Sequence, residues 1–261
     1  MNLSLENRSA LVCAGSSGLG FGVAQALARE GVQVCLLARN AAKLEQAVGR
    51  IREAGGQAYA VVADLNDIEA LDGVIAQVRA CIGEPDILLA NNGGPPPAQA
   101  SGEFTAQLWH RQLDALLLCT LKLTDAFLPG MRARGFGRIL MVSSTSVVEP
   151  IPGLVLSSDL RAALANWGKT LAREVAADGV TVNTLLPGSF WTERMQSLVQ
   201  ADAQRTGTPL STLVEQEQAA IPAGRFGSAE EFGAVAAFLA SPQASYVTGA
   251  MIPVDGGLLK G

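Results

Sequence analysis

Short apolar runs rich in β-branched residues, at 10–14, 32–37, 58–62, 87–90, 139–142, 180–186 and 251–254, alternate along this chain with stretches of helical period at 19–30, 41–54, 66–82, 105–134, 155–177 and 228–240. This alternation constrains the fold more than any other feature. Parallel strands cannot be joined by tight turns, so each needs a crossover of a dozen or more residues, and the spacing supplies a helix for most of them. Such crossovers are right-handed and cover both faces of the sheet, which explains strands that are apolar on both sides. An α/β fold with a doubly wound parallel sheet and helices on both faces is predicted.

Residues 1–261 read as a single domain, with no internal repeat, low-complexity tract or Gly/Pro/Ser-rich linker. Only the segment 189–222, polar, Gln-rich and partly helical, interrupts the alternation, as an insertion shaped like a substrate lid. A chain of this size buries roughly three quarters of its unfolded surface, so neither a disulfide nor a metal is needed to hold it together. The four cysteines, Cys13, Cys35, Cys81 and Cys119, lie far apart and mostly in apolar runs, without metal-site or dithiol spacing. The one histidine, His110, has no second imidazole to work with, so no metal site is expected and a surface or packing role is assigned. A net charge of -5 without a basic cluster argues against a nucleic-acid partner. No run is long and apolar enough to span a bilayer, and residues 1–8 lack a signal pattern; a cytoplasmic location is expected.

The first strand runs into Gly15-Ser16-Ser17-Gly18-Leu19-Gly20 and then into an amphipathic helix. Glycines permit positive φ and close backbone approach, so the helix can present unpaired N–H groups to a pyrophosphate. After the second strand stands Ala38-Arg39-Asn40, with no acid to accept from a ribose hydroxyl. Arg39 can instead meet a 2′-phosphate through a charge-assisted fork, which favours NADP(H) over NAD(H); the alternative is a solvated surface arginine. Asp64 either caps the following turn or holds an adenine amino group.

These motifs, with Asp64-Leu65, Asn91-Asn92-Gly93-Gly94, Ser143-Ser144, Asn183, Pro187-Gly188 and Asp255-Gly256-Gly257 in that order, resemble the short-chain dehydrogenase/reductase family over essentially the whole chain. The runs at 221–227 and 246–249 resemble bacterial 3-oxoacyl-(acyl-carrier-protein) reductase homologues. The resemblance implies a Rossmann-type fold. It also implies an NADP(H) site carried by Gly15, Ser17, Gly18, Leu19, Gly20, Arg39, Asp64, Leu65, Asn91, Gly93, Arg161, Pro187, Gly188 and Thr192, and a homotetramer or dimer. The implied activity is an oxidoreductase on a small carbonyl/alcohol pair, 3-oxoacyl-type among the candidates.

The departures are as informative. Members of the family usually reduce a carbonyl with an Asn, Ser, Tyr and Lys. Here the serine is Ser144, the asparagine position falls on Leu116, and the Tyr and Lys positions fall on Ser157 and Arg161. The gap from Ser144 and the run Arg161-Ala162-Ala163-Leu164 give the same register. The first glycine of the family's turn falls on Ala14. Ser157 and Arg161 are i and i+4, so they share a helix stripe with Leu160, Leu164, Trp167 and Leu171. In the catalytic reading Ser144 orients the carbonyl oxygen, Ser157 is a weak donor or water anchor, and Arg161 binds the nicotinamide ribose. In the competing reading Ser157 or Ser158 is a helix N-cap and Asp159 complements the dipole.

Pro95-Pro96-Pro97 is expected to stiffen a pocket wall or a surface connection, and Phe190, Trp191 and Met195 to belong to the lid or to a subunit contact. Two other functions fit the same residues: a non-redox lyase or isomerase, and a non-catalytic NADP(H)-binding or partner-supporting protein.

Overall fold

In a computed structural model that describes residues 2–95, 97–102 and 105–260, every expected strand forms, and all lie parallel in one seven-stranded sheet. They are β1 (Ser9–Cys13), β2 (Gln33–Ala38), β3 (Ala58–Val62), β4 (Ile87–Ala90), β5 (Gly137–Val142), β6 (Val180–Pro187) and β7 (Met251–Val254), in the spatial order β3-β2-β1-β4-β5-β6-β7. Ala10 of β1 is in register with Val34 of β2 on one side and Ile87 of β4 on the other.

Side chains of a strand alternate between faces, and the core divides accordingly. Ala10 and Val12 join a cluster with α1 (Gly18–Arg29), α2 (Ala41–Glu53) and α9 (Ala229–Ala240), which contribute Leu27, Leu44 and Phe232. Leu11 and Cys13 join a second cluster with α3 (Leu71–Ile82), α5 (Cys119–Ala133) and α6 (Val155–Val175), which contribute Val78, Phe127 and Leu171. Two apolar layers on one sheet hold the strand ends in fixed register, and the site is built on those ends.

Three expectations change. The helix predicted from 66 starts at Leu71. Asp64 Oδ1 accepts from the Asn66 N–H at 3.0 Å, and Asp67 Oδ1 accepts from the Ala70 N–H at 3.1 Å, so side chains satisfy the donors that a helix would have used. The stretch 105–134 is helical but not uniform: α4 (Ala106–Leu113) passes through a π-helical turn at Asp114–Leu118 before α5. Finally, α6 starts at Val155 with Leu154 in the cap position, so neither Ser157 nor Ser158 is an N-cap. The Val155 N–H donates to the Ala98 carbonyl at 3.4 Å and Ala98 N–H to the Gly153 carbonyl at 2.8 Å, which fixes the entry of the helix upstream of the serines.

Within 189–222 lie two helices, α7 (Glu193–Thr206) and α8 (Leu210–Ala219), of which only Val199 is buried. Of the triple proline, Pro96 lies outside the described residues. Among the described residues no helix is long and apolar enough to cross a membrane, and no group of three or more His, Cys, Asp or Glu is placed to hold a metal.

Candidate functional site

From β1 the chain winds outward through β2 and β3, then returns to place β4 on the other side of β1. Where the winding direction reverses, the loops beyond the carboxyl ends of the strands diverge and leave a crevice. A cavity of about 380 Å³ lies there, lined by Ser16 and Ser17 after β1, Arg39 and Asn40 after β2, Asp64 and Leu65 after β3, and Asn92, Gly93, Gly94 and Pro95 after β4. Gln112 and Ala115 close one side.

Of the residues assigned to a cofactor, Ser17, Arg39, Asp64, Leu65 and Gly93 line this groove. The others are not among its lining residues. Gly15 donates its N–H to the Leu37 carbonyl at 3.1 Å, tying the turn to β2. Gly18 takes φ +56 and faces Thr192, whose methyl would lie 3.5 Å from an added Cβ. Gly20 packs against the Ala14 carbonyl so closely that a Cβ could not be accommodated, with Asn91 beside it. Leu19 is partly buried against the core. Pro187 ends β6, and the Gly188 N–H donates to the Val254 carbonyl at 3.0 Å. Ala14 sits at φ +49, a left-handed conformation that an alanine adopts only under strain.

At one end of the groove, Arg39 Nη1 and Asp64 Oδ2 are 4.0 Å apart, with side chains 70% and 45% exposed. Asp64 Oδ1 accepts from both the backbone N–H and the Nδ2 of Asn66, so the turn-capping alternative is present. Ser17, at the N-cap of α1, is extended and makes no side-chain cap bond, so the first N–H groups of this 12-residue helix have no side-chain oxygen to accept from them there.

The serines and Arg161 belong to the next strand ends. Ser144 follows β5, and its Oγ accepts from the Ser146 N–H at 3.1 Å. Arg161 lies 7% exposed and donates in three directions: Nε to Ser157 Oγ at 3.2 Å, Nη1 to the Val142 carbonyl at the end of β5, and Nη2 to the Asn92 carbonyl at 3.3 Å. Burial, and after it the nearby Arg194 charge, push the guanidinium down to about 10. Because the Nε–H donates to Ser157 Oγ, the Ser157 hydroxyl hydrogen is left to donate elsewhere, and the donated bond favours partial negative charge on that oxygen. Arg161 thus braces three elements before any ligand arrives, a role not anticipated from the sequence.

Leu116 is buried at the centre of the π-helical turn. Asn92 Nδ2 donates to the Ala115 carbonyl of that turn and lies 2.9 Å from Cys119 Sγ. Neither tyrosine belongs here: Tyr59 is in β3 opposite Cys35, and Tyr246 is fully exposed between α9 and β7.

Residues that sequence reasoning missed are Asn92, Lys43 and the pair Glu193 and Arg194. Lys43 Nζ of α2 meets Glu193 Oε2 at 2.5 Å, and Arg194 donates to the Gly94 carbonyl at 3.0 Å and the Pro95 carbonyl at 3.4 Å. Asn92 stood in the motif after β4 and was legible there; the other three pair across 100 to 150 residues, and no local signal announces them.

Fold and groove define a doubly wound scaffold of the dinucleotide-binding type. The profile of a family described as Enoyl-(Acyl carrier protein) reductase matches residues 13–259. The 3-oxoacyl-[acyl-carrier-protein] reductase FabG of Escherichia coli is 32% identical over 258 residues, 98% of this chain and 99% of that protein. Dehydrogenase/reductase SDR family member 4 of Bos taurus is 31% identical over 256 residues, 98% of this chain and 88% of that one. The crystal structure of L-sorbose reductase from Gluconobacter frateurii, complexed with NADPH and L-sorbose, superposes with a TM-score of 0.95 at 30% identity over 100% of both chains. The chain belongs to the short-chain dehydrogenase/reductase family.

Proposed function

We propose that this protein is an NADP(H)-dependent oxidoreductase for a carbonyl/alcohol pair, in which Ser144, Ser157 and Arg161 replace the usual phenol-based proton donor. One observation carries the reading: the loop Asn92–Pro95 lines the groove on one side and receives Arg161 on the other, so the dinucleotide groove and the serine–arginine cluster are joined through a single segment. The residues present fit the dinucleotide. The N-terminus of α1 has no side-chain cap, Gly20 lets the backbone close in, and Arg39 is exposed in the groove wall with no carboxylate closer than 4.0 Å among the described residues. NADPH solved in the sorbose reductase relative supports the same choice.

When bound, the dinucleotide supplies or accepts the hydride. The chain's own contribution is to hold the diphosphate at the start of α1, to accept the 2′-phosphate at Arg39, and to offer hydroxyl hydrogens from Ser144 and Ser157 to the carbonyl oxygen. Arg161 holds Ser157 in place, polarises it and adds positive potential; its two remaining N–H bonds are available to a ribose or substrate oxygen. The segment 189–222 serves as the lid, and the working form is a tetramer or dimer, which light scattering of the purified protein checks.

The test of the cofactor is direct titration with NADPH and NADH. Losing one charge-assisted contact amounts to ~1.5–3 kcal/mol, so NADPH should bind about 10- to 100-fold more tightly, and Arg39→Ala should abolish the difference. Equal affinities in the parent protein, or no binding of either, would overturn the assignment.

A further inference from the structure

Arg161 is a buried cation for which the described residues provide no anion. Its partners are a hydroxyl and two carbonyls, all neutral, and among the described residues two of the five guanidinium N–H bonds have no acceptor. A charge removed from water is ordinarily matched by an opposite one, because hydrogen bonds to neutral groups recover only part of the lost hydration. The nearest cation makes the mismatch worse. Arg194, from the first turn of α7, reaches back to the Gly94 and Pro95 carbonyls, two and three residues along the same loop whose Asn92 carbonyl receives Arg161. Among the described residues neither guanidinium has a carboxylate within ion-pairing distance.

The other buried arginine is likewise held by neutral groups, but the cation beside it is neutralised. Arg138 lies against the Phe136 ring at 4.1 Å and donates to three carbonyls, and its neighbouring cation, Arg8, is matched by Asp86 at 3.6 Å. No such match exists for Arg194. Two guanidinium groups on one loop, with no carboxylate partner among the described residues, suit an oxyanion brought by a ligand.

We propose that Arg161 and Arg194 form an oxyanion subsite that selects substrates carrying a permanent carboxylate on or next to the reacting carbon, making the substrate class an oxo acid. A carboxylate and a dinucleotide phosphate would be attracted by the same chemistry. The contacts favour the carboxylate, because Arg161 holds Ser157 and the end of β5, two residues before Ser144, whereas Arg39 follows β2, three strands away in the sheet. The proposal rests on the reductase reading of the site.

Calorimetric titration separates the two. Oxalate, a dicarboxylate mimic of a 2-oxo acid, and oxamide, its neutral counterpart, are titrated into the full chain with and without NADP⁺, alongside NADPH itself. Oxalate is expected to bind at least about 100-fold more tightly than oxamide, the equivalent of roughly 2.7 kcal/mol. Arg194→Met should weaken oxalate about tenfold or more, and by a clearly larger factor than it weakens NADPH, with Arg194→Lys recovering part of the loss. Arg194 lies on the exposed first turn of α7, so its replacement spares the core; Arg161→Lys tests the buried member with its charge retained. Equal binding of oxalate and oxamide overturns the proposal. So does weakened NADPH with unchanged oxalate in Arg194→Met, which assigns the cations to a phosphate. Oxalate binding that persists where NADPH does not bind supports the subsite while removing the reductase reading.

Discussion

Ser157 and Arg161 act as one unit, because the guanidinium that holds the hydroxyl also closes two backbone carbonyls. Replacing them should therefore have separable effects. Ser157→Ala leaves one buried donor, the Arg161 Nε–H, unpaired and keeps the brace to Val142 and Asn92, so it should cost about 1–3 kcal/mol. Arg161→Met leaves the Val142 and Asn92 carbonyls unpaired, at about 1–3 kcal/mol for each buried group, and denaturant unfolding should show it as a lower midpoint. Equal stability in the two variants would contradict the bracing role. Ala14 is a second residue-scale case: at φ +49 it stands where glycine is favoured, and Ala14→Gly should raise stability by about 0.5–1 kcal/mol by chemical denaturation. In the sequence, Ala14, Leu116, Ser157 and Arg161 drew notice only through the register that the family resemblance implies. The sequence did not show Arg161 turning inward, because the acceptors Val142 and Asn92 come from strands whose ends meet only in the folded sheet.

Elements were legible where local chemistry decides them. The strands could be read because burial on both faces demands unbroken apolar runs, and α9 because Ser228 and Glu231 form a reciprocal capping box. The first residue of α6, Val155, agrees with the reading, but its cap was not legible, since Ala98, a distant partner, holds it rather than a capping side chain. The π-helical turn has no sequence signature at all; an extra residue in a helix is visible only in its hydrogen bonds. The first turn of α7 is the element on which a prediction depends. It is tied to α2 by Lys43–Glu193 and to the β4 loop by Arg194, on either side of the groove. Glu193→Gln removes the first tie, and the release rate of bound NADPH, followed by stopped-flow fluorescence, should rise severalfold and lose part of its dependence on salt. An unchanged release rate would show that α7 does not gate the groove.

At the scale of the whole molecule, buried thiols and buried guanidinium groups set the response to alkali. Burial pushes the Cys35 thiol up to about 12 and raises Cys13 and Cys119 as well. These groups stay protonated in the folded state while the unfolded chain ionises near its ordinary value of 9.0, so their stabilisation is complete below that pH and is lost as pH rises above it. Arg138 and Arg161, lowered to about 10, act in the opposite sense: the penalty for burying their charge begins to fade above that pH. The melting temperature should accordingly fall from pH 9 to pH 10 and more slowly beyond, and Cys35→Ala should flatten the first part of the curve. In the folded protein a thiol reagent should label Cys81 alone, the other cysteines being buried.

The measurement that bears most directly on reduction without a phenol is single-turnover oxidation of protein-bound NADPH, followed by its near-ultraviolet absorbance against 2-oxo acids, 3-oxoacyl thioesters and simple ketones. Decay that requires the protein is expected. It should slow by about 10²- to 10⁴-fold in Ser144→Ala and in Ser157→Ala, the usual contribution of a positioned proton donor. Saturable NADPH binding with no decay for any substrate, or decay indifferent to both serines, would contradict the assignment.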